Sequence, residues 1–181
     1  MRRVLFILSE LEDDHVSWLT EAGHSERVSS GKVLVEEGRD TASLFIVIEG
    51  KLAVTVGGGG TTRQVASLRA GEIVGELSYL DSRPPNATVT AAEDSHVFVI
   101  PRDRLARKLA SDDAFAARFY RALGVFLADR LRTAVSRIGD ASGGSLSDQV
   151  GADEEIDPDL LDGLDLAGAR FDGFLRSLAE K

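Results

Sequence analysis

The feature that most constrains this chain is a set of short β-branched runs closed one after another by single glycines. Residues 32–38 read as a strand ending on Gly38, and residues 43–50 as a second ending on Gly50. Residues 51–56 and 62–68 follow, and Gly71 then turns the chain. Residues 87–92 and 95–100 complete the series, and Pro101 ends it. The runs are rich in Val, Ile and Thr, which suit a pleated surface, while the glycines supply turns. Many short strands at regular spacing, with no long helix between them, read as a small barrel or roll. Gly57, Gly58, Gly59 and Gly60 are expected to form a flexible hairpin tip. They lack the Lys-Ser/Thr pair and the following helix of a phosphate-cradling loop.

The stretch 71–93 carries the most chemistry. Gly75 permits a positive φ or a close backbone approach just before Glu76. Residues 76–80 are too short for an independent helix, but they can form one turn on a strand framework. Such a turn presents free N–H groups and a positive dipole end, which suit an anion. Arg83, Pro84, Pro85 and Asn86 make a polar turn, and Ala87, Thr88 and Val89 begin an alternating run.

This stretch resembles the phosphate-binding cassette of cyclic-nucleotide-binding domains, where Gly-Glu-(Leu/Ile)-Ala-Leu is followed by Pro-Arg-x-Ala-Thr. Gly75, Glu76 and Leu77 match the first half, with Ser78 next in line; Pro84, Ala87 and Thr88 match the second. Gly31, Gly38, Gly50, Gly71 and Gly75 stand where that domain has its turn glycines, and the resemblance covers roughly residues 8–138. It implies a mainly β fold with flanking helices: a double-stranded β-helix or jelly-roll-like β-roll, a short N-terminal helix and a long C-terminal one. It implies a cyclic nucleotide, cAMP or cGMP, as ligand. The Glu76 carboxylate would meet the ribose hydroxyl, and cassette N–H groups would hold the cyclic phosphate. The family's phosphate-pairing arginine is replaced by Pro85, so affinity is expected to be weakened or lost. Pro84 and Pro85 have no N–H, which leaves Asn86 and Ala87 as nearby donors. Arg83 either reaches back to the phosphate or stays a solvated turn residue. Glu76 could also be a plain strand-end carboxylate.

Composition sets limits. The chain has 181 residues and is 43% hydrophobic, enough for one sizeable core. It has no cysteine, which excludes disulfides and thiolate chemistry. His15, His24 and His96 show no ligand spacing and are expected at surface or boundary positions; no metal is expected. The opening residues are too briefly apolar for a secretory signal, and no stretch approaches a membrane span, so a soluble cytoplasmic protein is expected. Net charge is −9, and residues 140–181 hold eleven acids against three bases. The rest is close to neutral and lacks the basic surface that nucleic-acid binding needs.

Ser9 is expected to cap a first helix through Glu21, with Val16, Leu19 and Ala22 on its apolar face and Gly23 as its stop. After the strands, residues 103–110 read as a short helix and Ser111 as the cap of a long one, residues 112–138. Its stripe of Phe115, Phe119, Ala122, Leu123, Phe126, Leu127, Leu131, Ala134, Val135 and Ile138 is too wide for one contact. Either all of it packs on the roll, or part pairs with the same helix of a second chain. The catabolite-activator branch of the family does the latter, so a homodimer is expected. The same branch implies that this helix lids the pocket, with residues near Arg121 to Arg132 closest to the base.

The chain divides into a domain at 1–139, a flexible acidic linker at 140–157 and an amphipathic tail at 158–181. The tail would pack back on its own domain or dock into a protein partner, and the linker favours docking. Helix-turn-helix relatives need more residues, and less acidic ones, after the long helix. The functional expectation is a non-catalytic regulatory module that couples ligand binding to helix rearrangement. The alternative is a degenerate domain acting as a dimeric interaction scaffold with a partner-docking tail. With no nucleophile–base pair and no metal-ligand set, an enzyme is not expected.

Overall fold

The computed structural model describes residues 4–58, 61–81, 83–141, 168–170, 173, 174 and 176. In chain order the strands are β1 (His24–Val28), β2 (Val33–Val35), β3 (Ser43–Glu49), β4 (Lys51–Gly58), β5 (Thr61–Arg69), β6 (Ile73–Val74), β7 (Thr88–Ala91) and β8 (Ser95–Pro101). Helices α1 (Val4–Glu10) and α2 (Asp13–Ala22) precede them; α3 (Arg102–Ser111) and α4 (Asp113–Ala141) follow. The strands form two antiparallel four-stranded sheets, in the orders β1-β8-β3-β6 and β2-β7-β4-β5. This is the β-roll with flanking helices expected from the glycine punctuation.

Alternation along β3 and β8 divides the core. Phe45, Val47, Val97 and Val99 face the second sheet, where Val35, Leu52, Leu68 and Val89 meet them. Leu44, Ile46, Phe98 and Ile100 face the other way and join Val4, Leu8, Leu11, Phe115, Phe119 and Phe126 of the helices. β3 and β8 are thus buried on both faces, which is why β3 is nearly all apolar rather than alternating. All five glycines of the ladder have positive φ: Gly31, Gly38, Gly50, Gly71 and Gly75.

Several expectations change. The first helix is two helices, and Ser9 lies inside α1 rather than capping it. Val4, Ile7, Leu8 and Leu11 have helical apolar spacing and are all buried, so the opening run folds against the core. The N-cap of α2 is Glu12, whose side chain accepts from the His15 N–H while His15 accepts from the Glu12 N–H. His15 is therefore buried, not at a boundary, and stacks edge-on to Phe115. The same arrangement gathers Glu12, Asp14 and His15, a helix-capping cluster. Gly23 does end α2, but in an extended conformation, because the Phe98 ring and the Val99 carbonyl occupy the space of any side chain there.

β1 was not foreseen; its pattern is mostly exposed and is set by pairing with β8. Gly57 and Gly58 are not hairpin tip but paired strand, opposite Thr62 and Thr61; Gly59 and Gly60 lie outside the described residues. α4 is capped by Asp112, which accepts from the Phe115 N–H at 2.9 Å, rather than by Ser111. Among the described residues no helix is long and apolar enough to cross a membrane. Of the expected linker 140–157, residues 140 and 141 continue α4, and residues 142–157 lie outside the described residues. Of the described tail residues, Arg170 and Phe174 contact the protein's own α1, α2 and β8. Phe174 is buried edge-on to Phe98.

Candidate ligand-binding site

β6 delivers the chain into Gly75, whose φ is +89°. A Cβ there would lie 2.7 Å from the Ser43 carbonyl oxygen, so both conformation and space require glycine. Glu76 follows with a helical backbone, and residues Leu77–Tyr79 form one 3-10 turn. The short segment was read as one turn and is one.

Glu76 is the centre of the site. It is only 2% exposed, yet carries a carboxylate. A buried charge needs a partner. The Arg130 guanidinium of α4 donates to Glu76 Oε1 at 2.6 Å. Arg130 also reaches the Ile73 carbonyl at 3.5 Å, lies 3.9 Å from Glu72 and sits 4.8 Å from the Phe126 ring centre. Phe126 and Arg130 are one helical turn apart, so the buried ring holds the base of the arginine beside the cassette. Burial pushes the Glu76 carboxyl above the usual carboxylate range; the Arg130 charge and the N–H groups of Glu76 and Gly75 oppose this, and Glu72 adds to it.

The other expected residues spread outward. Leu77 is exposed, and Ser78 lies within the 3-10 turn. Arg83 has 83% of its side chain exposed and faces Asp81 at 3.9 Å, so it does not reach back to Glu76. The Pro85 carbonyl accepts from the Gly38 N–H at 2.8 Å. Asn86 is exposed, Ala87 is half-buried, and Thr88 Oγ1 accepts from the Glu37 N–H at 3.1 Å. Glu76 thus bonds α4, whereas Pro85 and Thr88, the latter at the start of β7, bond the β2–β3 connection.

Two residues were not singled out by sequence. Arg130 lay within the range 121–132, but nothing in the local pattern distinguishes it from Arg121 or Arg132. Tyr79 turns its ring toward Phe119, with 6.4 Å between centres, and lies under Arg102. Its hydroxyl is buried without a hydrogen-bond partner among the described residues, and burial pushes its pKa up to about 12.

The fold has counterparts among known proteins. The family model described as "Cyclic nucleotide-binding domain" matches residues 25–112. A cGMP-dependent protein kinase of Toxoplasma gondii is 34% identical over 93 residues, 51% of this chain but 9% of the kinase. A crystal structure of a cyclic nucleotide-binding domain from Methylobacillus flagellatus superposes with a TM-score of 0.68 at 23% identity, covering 80% of this chain and 85% of that one. The regulatory domain of Toxoplasma gondii PKA, crystallised with cAMP, gives a TM-score of 0.54 at 27% identity, over 59% of this chain and 42% of that one. This chain thus spans only a small part of the kinase it matches. Glycine turns, cassette and strand order all fall inside the matched region, and residues 25–112 belong to the cyclic nucleotide-binding domain family.

Proposed function

We propose that this chain is a non-catalytic cytoplasmic module that binds a cyclic nucleotide, cAMP or cGMP, and passes occupancy of the cassette to α4. One observation carries the reading: the carboxylate that the family resemblance assigns to the ribose is already held by a helix residue 54 positions away. A carboxylate offers about four acceptor sites, so a ribose hydroxyl can share or displace the Arg130 bond. Either event changes what holds α4 against the cassette, and a ligand with different affinities for the two arrangements shifts their populations. The relatives named as cAMP- and cGMP-dependent kinases or their regulatory subunits support the ligand class.

The phosphate end is the weaker one. Pro85 supplies neither guanidinium nor N–H, and Arg83 is turned to Asp81. A charged hydrogen bond contributes about 1.5–3 kcal/mol, so its loss weakens binding roughly ten- to a hundred-fold. Calorimetric titration of cAMP and cGMP into wild type, Pro85→Arg and Glu76→Ala tests this. Weak binding by wild type, tightened in Pro85→Arg and abolished in Glu76→Ala, is expected. If neither wild type nor Pro85→Arg binds, the cyclic-nucleotide reading is wrong.

A second reading is supported by α4 beyond the cassette: a dimeric scaffold. Leu131 is 66% and Val135 59% exposed, and Tyr120 is exposed as well. Tyr120, Gly124, Leu127, Leu131 and Ala134 recur at alternating spacings of four and three, the seam of a helix pair. Light scattering of wild type against Leu131→Asp/Val135→Asp tests it; a dimer that the double variant converts to monomer is expected.

A further inference from the structure

Helix α1 is held at its two ends by distant parts of the chain. The final carbonyls of a helix have no partner within it. Here the Leu8 carbonyl accepts from Arg170 Nη1 of the tail at 2.9 Å, and the Glu10 carbonyl from Arg118 of α4 at 3.3 Å. Arg170 also pairs with Asp13, the first residue of α2, at 2.8 Å, and its side chain is largely buried. Phe174, four residues on, presses its ring onto Phe98 with 4.8 Å between centres. Arg170 and Phe174 thus contact α1, α2 and β8 together.

At its other end α1 meets the approach to the cassette. The Val4 N–H donates to the Gly71 carbonyl at 2.6 Å, while the Gly71 N–H donates to Val47 at 2.8 Å. Gly71 stands two residues before β6, which leads directly into Gly75 and Glu76. The short α1 therefore spans the gap between the tail and the cassette. A second path runs through side chains: Phe174, Phe98 and Phe119 belong to one apolar cluster, and Tyr79 of the cassette packs against it.

We infer that Arg170 and Phe174 form an intramolecular strap whose docking on α1, α2 and β8 sets the position of the cassette, so that the tail regulates the ligand site. The strap itself stands on the contacts of Arg170 and Phe174; its effect on affinity rests on the cyclic-nucleotide reading. A strap that acts through α1 has a spatial signature. Its release loosens α1, α2 and the cassette while leaving β4 and β5, which belong to the other core cluster, unchanged.

The test is amide hydrogen exchange on the full chain, wild type against Arg170→Ala and Phe174→Ala, with cAMP titration of each. Arg170→Ala opens no core cavity and is the deciding variant. Exchange of residues 4–22 and 71–80 at least about ten-fold faster, with β4 and β5 unchanged, is expected. Acceleration confined to 168–176, or spread equally over β4 and β5, overturns the inference. A change in cAMP affinity between wild type and Arg170→Ala is also expected. Equal cAMP affinities show the strap uncoupled from the ligand and overturn the regulatory part. Absence of cAMP binding by every protein defeats the ligand reading instead, and the exchange pattern alone then decides the strap.

Discussion

At its first end the cassette is sealed: Glu76 is 2% exposed and its charge is met by Arg130, itself anchored on the buried Phe126 of α4. Seven residues later, Arg83 stands with most of its side chain in solvent, and the Pro85 carbonyl and Thr88 hydroxyl accept from the turn between β2 and β3. The difference separates two tasks. A group that is buried and paired across elements couples a ligand to the rest of the molecule. A group on an exposed turn can set affinity without disturbing the fold. Changes at the sealed end should therefore be read in stability and binding together, and changes at the open end in binding alone.

Four probes test that contrast, the second of them a pair of substitutions. The largest effect is expected from Gly75→Ala, which forces a side chain to positive φ and into the Ser43 carbonyl, 2.7 Å away. Strain and overlap together cost about 2–4 kcal/mol, read from the denaturant midpoint. Next comes Arg130→Ala, which leaves a buried carboxylate unpaired. Loss of a fully buried partner costs about 3–5 kcal/mol. Arg130 keeps 28% side-chain exposure, so about 2 kcal/mol is expected here. Glu76→Ala should cost less, about 1 kcal/mol, because the stranded guanidinium can turn to water. Equal losses in the two variants would contradict a sealed carboxylate.

The third is a pH dependence. Burial holds the Glu76 carboxyl above its unfolded value. Between the two values the folded protein binds more protons, so the Glu76 contribution to stability falls as pH rises through that window and levels off above it. Arg130→Ala removes the opposing charge and extends the decline to higher pH, which urea midpoints across a pH series would show. The smallest effect belongs to Arg83→Ala, expected within about 0.5 kcal/mol because its charge is solvated.

Legibility in the sequence followed the range of the forces involved. Turn glycines act locally, so Gly31, Gly38, Gly50, Gly71 and Gly75 announced the turns, and the alternating runs between them the strands. The cassette residues were singled out by their resemblance to a family motif rather than by local forces. Arg130 was not, since its role arises from where α4 crosses the cassette rather than from its neighbours in sequence. β1 escaped because His24-Ser25-Glu26-Arg27 is polar and owes its conformation to β8. His15 was misjudged because its burial depends on the rings of α4, about a hundred residues away. The tail's apolar rhythm was visible, but rhythm does not name the surface that receives it.

The caps of α1 carry a consequence for synthesis. The guanidinium that completes the Leu8 carbonyl is translated 162 residues after the carbonyl itself. Domains that fold as they leave the ribosome start with what has already emerged. In this protein α1 and α2 stay half-secured until Arg170 has followed them out.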